Sequence, residues 1–300
     1  MKQGKRRSRA RLFLRRAVLV AAAAVVLAAA GAAAWGVAVE AGAQLPPLSA
    51  VMTRIGSALN AQSSQGSAPA APESDTVASL RAQIPQEPRL QKIVDNCSQY
   101  PEALLSQLTK NLDMTDFVLG YPEKKGQVFA DTIEELTPGE VPLLLQYDPR
   151  WGYASYGDNC LAVTGCGPTC LSMVASALTG DASLTPAAVA AAADSSGYYV
   201  IGSGPSGDLF SQGCTAFGVT SRELPLDRGT MENALAAGEP IVCSMGPGDF
   251  TTAGHFIVIT GVQEDGFTVC DPNSRTRSGQ LWSYDRLAPQ IRNLWAFSKA

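Results

Sequence analysis

The chain has 300 residues, 46% hydrophobic and 17% charged, which suits one or two packed domains and excludes a wholly disordered or collagen-like chain. Its charge is lopsided: eight of 23 basic residues fall within the first 16 positions, and from Glu40 onward 15 basic residues face 27 acidic ones. So acidic a body argues against nucleic acid as a partner, because duplex binding rests on neutralising phosphates with Lys and Arg.

Residues 1–16 read as a basic cytoplasmic tail. The next 23 residues, Ala17 to Val39, hold no charge: twelve are Ala, eight Val or Leu, two Gly, and one is Trp35. At about 1.5 Å per residue, a helix of that length measures roughly 34 Å and spans a hydrocarbon core of about 30 Å. The cations before it stay inside by the positive-inside rule, which sends the remainder across the membrane. Ala41-Gly42-Ala43 has the form of a cleavage site, so cleaved secretion is the alternative to a signal-anchor. The apolar run is longer than the roughly 7 to 15 residues of a signal h-region, which favours the anchor. Either way the body is extracytoplasmic, where thiols can pair. Seven cysteines is an odd number, so at least one thiol is left unpaired or pairs between molecules.

Residues 40–78, rich in Ala, Ser, Gln and Pro, read as a flexible stalk, with a short helix allowed around Ser49 to Asn60. Residues 79–140 read as a helical lead-in. Within it, Pro101 and Glu102 open a segment that sets Leu104, Leu105, Leu108 and Leu112 on one face. From 141 onward the pattern changes to α+β. Val141 to Gln146 is predicted as a short strand, and Asp148-Pro-Arg-Trp-Gly as a turn. Pro168 suits the first position of a helix that runs through Leu171, Val174 and Leu178 to a stop at Gly180. Further helices are predicted from Thr185-Pro186, over Gly207 to Phe217 and over Thr230 to Ala237. Strands follow at Pro240–Met245, His255–Thr260, Gly266–Cys270 and Leu294–Phe297, the middle two joined by a hairpin signal.

Cys166 lies between two glycines at the entrance of the Pro168 helix. A helix N-terminus favours an anion, and a turn this open leaves room for a substrate carbonyl, with the Cys166 N–H as an oxyanion donor. The same string also reads as a tight turn around a buried or disulfide-bonded cysteine. A thiol mechanism needs a base that carries a proton near neutral pH, and the chain offers one histidine, His255, at the start of a strand 89 residues later. Asp271 follows 16 residues beyond, at the end of the hairpin partner strand, where a carboxylate can fix the ring's tautomer. Cys160 and Cys170 flank the nucleophile without the partners of a zinc site, so core packing or a disulfide is expected of them. Asp249 and Thr251-Thr252 read as a solvated loop near the cleft, and Gly202 to Gly207 as a flexible turn without the Lys of a phosphate loop.

The strings VPLLLQYDPRWGYASYGDNCLAVTGCGPTCLSMVASALTG, GHFIVITG and VCDPNS, in that order, resemble family thirty-nine of the papain-like cysteine peptidases. The likeness is to an extracytoplasmic subgroup related to the domains that clip bacteriocin leaders after a double glycine, and it includes the lead-in. It implies a papain-like catalytic domain over 141–300 and a triad of Cys166, His255 and Asp271, with no cofactor. In the leader-clipping branch a Gln stands six positions before the Cys. Here that position is Cys160, and Gln146 is the expected replacement if its loop folds back. The function so implied is hydrolysis of peptide amide bonds; peptidoglycan stem-peptide cleavage and a non-catalytic surface binding module are the alternatives.

Overall fold

A computed structural model of the chain describes residues 74–201 and 204–300, which fall in one compact unit, Pro72–Ala300. The basic tail, the apolar segment 17–39, the helix around Ser49 to Asn60 and the stalk as far as residue 73 lie outside the described residues. Among the described residues, no helix is long and apolar enough to cross a membrane.

Four helices come first: α1 (Asp75–Gln83), α2 (Leu90–Asp95), α3 (Glu102–Leu108) and α4 (Thr115–Lys124). Each buries one stripe. In α3, Leu104, Leu105 and Leu108 face a core that also takes Leu80, Ile93 and Val118 from the other three helices. Leu112, expected to extend the α3 face, instead opens a separate 3₁₀ turn. Leu145, Tyr147, Tyr153 and Ala162, from further along the chain, complete the same core.

Two short strands, β1 (Ser155–Tyr156) and β2 (Asn159–Cys160), form a hairpin that leads into the single turn α5 (Leu161–Thr164). Then come α6 (Cys166–Thr179), α7 (Pro186–Ser195), the pair β3 (Tyr199–Val200) and β4 (Gly204–Pro205), and the single turn α8 (Asp208–Ser211). They lead to β5 (Val219–Glu223), α9 (Arg228–Ala236), β6 (Ile241–Met245), β7 (His255–Gln263) and β8 (Gly266–Cys270). The turns α10 (Arg275–Ser278) and α11 (Tyr284–Leu287) precede β9 (Ile291–Lys299). The main sheet is antiparallel throughout, in the order β5-β9-β6-β7-β8. Helices cover both its faces. One face, with Val242, Val258 and Phe297, packs against α6 and α7. The other, with Ile257, Ile259 and Leu294, packs against Met231 of α9 and Leu287 of α11. Hence the continuous apolar run after His255, where a half-exposed strand would alternate.

Several predicted elements differ. The strand expected over Val141 to Gln146 does not form. Pro142 brings no N–H, the Leu144 N–H meets the Met173 sulfur (3.3 Å), and the Gln146 N–H reaches the Pro272 carbonyl (2.8 Å), which leaves the segment extended but unladdered. The helix carrying Cys166 begins there, two residues before Pro168, and stops at Gly180, whose φ of +76° is the left-handed conformation that ends a helix. The helix expected over Gly207 to Phe217 breaks at Gln212, so that only α8 and a 3₁₀ turn over Gly213–Phe217 remain. None of the seven cysteines is in a disulfide: Cys160 and Cys170 are free thiols packed in the core, and the pairing considered for them is absent.

Candidate active site

The turn α5 closes on itself through the Gly165 N–H, which donates to the Leu161 carbonyl (2.8 Å), and α6 starts at the next residue. A Cβ on Gly165 would sit 2.4 Å from that same carbonyl oxygen, so only glycine permits the close turn. Cys166 is thereby the first residue of a 14-residue helix, half-buried, with a backbone N–H that has no intrahelical acceptor.

His255 opens β7 opposite Met245 of β6 and is 8% exposed. Its Nε2–H donates to Asp271 Oδ1 at 2.8 Å, and Cys166, which lines the same two cavities as the ring, is among the groups that raise its pKa. Asp271, fully buried one residue past β8, also accepts the Arg277 Nε–H and the Asn273 backbone N–H (2.8 Å). Burial works against charge on the imidazole, but Asp271 and Cys166 outweigh it and push the pKa up to about 10. Burial likewise opposes charge on Asp271, and His255 and Arg277 overcome it, holding the carboxyl below its ordinary range. The ring is thus a strong proton holder, fixed on one side by Asp271.

Gln146 is brought back to this place across 16 residues: its Nε2–H donates to the Ala162 carbonyl (2.7 Å), just before the turn into Cys166. One of its two amide hydrogens is used there, leaving the other free to donate. Cys160 lies instead in the helical core, where burial raises its thiol to about 11. Two cavities open on Cys166 and His255. One, of about 300 Å³, is lined by Gln146, Asp249, Thr251 and Thr252, so the loop expected near the cleft borders it. The other, of about 510 Å³, lies against Phe256 and Trp295. No group of acidic, Cys and His side chains suited to a metal occurs among the described residues. Sequence reasoning missed Arg277, which nothing in its local string distinguishes from a surface arginine, and missed the lead-in residues Gln107, Lys110 and Asn111 on the first cavity.

No curated protein and no solved structure matches the chain. A model of the Peptidase_C39 like family does match, over residues 139–299, a stretch that contains Gln146, Cys166, His255 and Asp271 and the whole of the main sheet. With more than half of its length in that match and its helices and antiparallel sheet consistent with a papain-like peptidase fold, the chain belongs to the Peptidase_C39 like family, a family of cysteine-peptidase type.

Proposed function

We propose that the protein hydrolyses peptide amide bonds with Cys166 as nucleophile, His255 as base and then acid, and Asp271 as the group that orients the ring. The observation that carries this is that Cys166, at a helix N-terminus, lines the same two cavities as an imidazole already bonded to a buried carboxylate. With the ring's pKa raised well above neutral, His255 already holds the thiol proton when Cys166 Sγ attacks the carbonyl carbon. The C–N bond then breaks, the leaving amine takes the proton from His255, and a thioester remains. Water, deprotonated by the same ring, attacks the thioester and frees both acid and thiol. The backbone N–H of Cys166 and the free hydrogen of the Gln146 amide supply donors for the oxyanion.

The test is alkylation with iodoacetamide at neutral pH, followed residue by residue by mass spectrometry. Cys166 is expected to react fastest, and His255→Ala to slow it by about 10²-fold, the usual contribution of a positioned base. Equal rates at Cys166 in the wild type and in His255→Ala would sink the proposal.

Residues 17–39 supply the anchor in this reading, with the catalytic part outside the cell membrane. The chain should then sediment with membranes until detergent is added, and external protease should reach residues beyond 40 in intact cells. Release into the soluble fraction at high salt alone would speak for a peripheral protein.

A further inference from the structure

The family match begins at residue 139, yet one wall of the smaller cavity comes from upstream: Gln107 of α3, with Lys110 and Asn111 just after it. This wall is pinned to both halves of the site. Gln107 Nε2–H donates to the Val163 carbonyl (2.9 Å), beside the turn into Cys166, and Asn111 Nδ2–H donates to the Asn273 carbonyl (2.7 Å), beside Asp271. The side-chain oxygens of Gln107, Gln146 and Asn273, all residues of this cavity, are buried without a hydrogen-bond partner, and Gln146 is only 1% exposed. These oxygens are closed off from the cavity, so its chemistry rests on the charged and polar groups that do reach it.

Charge adds direction. Lys110 is exposed and makes no ion pair among the described residues, while Arg277, on the same cavity, is already paired with buried Asp271. The acid lining it, Asp249, is already held by both prongs of Arg286 (2.9 and 3.0 Å). Across Cys166 the sign reverses: Asp208 and Glu223 line the larger cavity, with His255 the one basic side chain among its lining residues.

We infer that the cleft selects peptides by charge, taking an anionic group on the Lys110 side of the scissile bond and a cationic group on the Asp208–Glu223 side. The helical region upstream of the family match is then a substrate-binding wall. This rests on the peptidase reading above.

Bromoacetyl tripeptide amides ending in Glu, Gln or Lys test it without requiring turnover, since each alkylates a thiol directly. On the full chain at low salt, the Glu and Lys probes should each modify Cys166 roughly three- to fivefold faster than the Gln probe, the scale of one exposed charge contact. Both gains should shrink as ionic strength rises. Lys110→Glu should remove the Glu gain and keep the Lys gain; Asp208→Asn combined with Glu223→Gln should do the reverse. Equal rates for the three probes, or an unchanged order in Lys110→Glu, overturns the inference. Ratios among probes read the field at Cys166 whether or not the thiol is activated, so a charge failure is told apart from a failure of His255 to accelerate iodoacetamide.

Discussion

Seven thiols in one chain ought to compete for any electrophile, and burial decides among them. It pushes Cys160 and Cys270 to about 11 and raises Cys170 and Cys243 as well, so their reactive anions are scarce at neutral pH. Brief alkylation of the folded protein should therefore leave these four unmodified until denaturant is added. The His255–Asp271 pair makes a separate prediction. A histidine whose pKa is raised on folding lends stability in full below its unfolded value near 6.5, and loses it as pH climbs through about 10. Denaturation of wild type and Asp271→Asn should show a wide gap at pH 6 that narrows toward pH 10, without vanishing, because Arg277 stays charged. A gap constant with pH would mean the pair carries no linked proton.

At the scale of elements, the junction of α5 and α6 places Cys166. Gly165→Ala forces a Cβ against the Leu161 backbone oxygen, a contact that cannot relax by side-chain rotation. We expect a drop of several degrees in melting temperature together with slower alkylation of Cys166, whereas Gly139→Ala, where a Cβ meets nothing but φ is +87°, should cost stability alone. Elements whose signal is local were legible in the chain: α7 from Thr185-Pro186, β8 from its bounding turns, and the meeting of His255 and Asp271 at neighbouring strand ends from residue type and spacing. Those whose form depends on distant partners were not. β5 reads Val-Thr-Ser-Arg-Glu, too polar to announce a strand, and forms because β9 pairs with it. Val141 to Gln146 has strand composition but finds no strand beside it. Asn111 gains its place at the site through Asn273, across 162 residues that no window of sequence contains, and Arg277 through Asp271, six residues away, by a turn that its string does not announce.

For the whole molecule, the helical region and the family-matched region share one interior: Leu145, Tyr147, Tyr153, Cys160 and Ala162 of the latter pack among the helices of the former. A fragment beginning at residue 139 should therefore aggregate or melt far below the full chain, exposing several large apolar side chains at once. A soluble fragment with full melting temperature and full Cys166 reactivity would show that the helices are dispensable. The main sheet holds a related constraint. β9 comes latest of its five strands in the chain, yet it lies inside, with β5 on one flank and β6 on the other. Until a ribosome has released it, the strands already made remain in two unconnected groups. The sheet that carries His255 would then close in a single late step of synthesis, once every other strand exists.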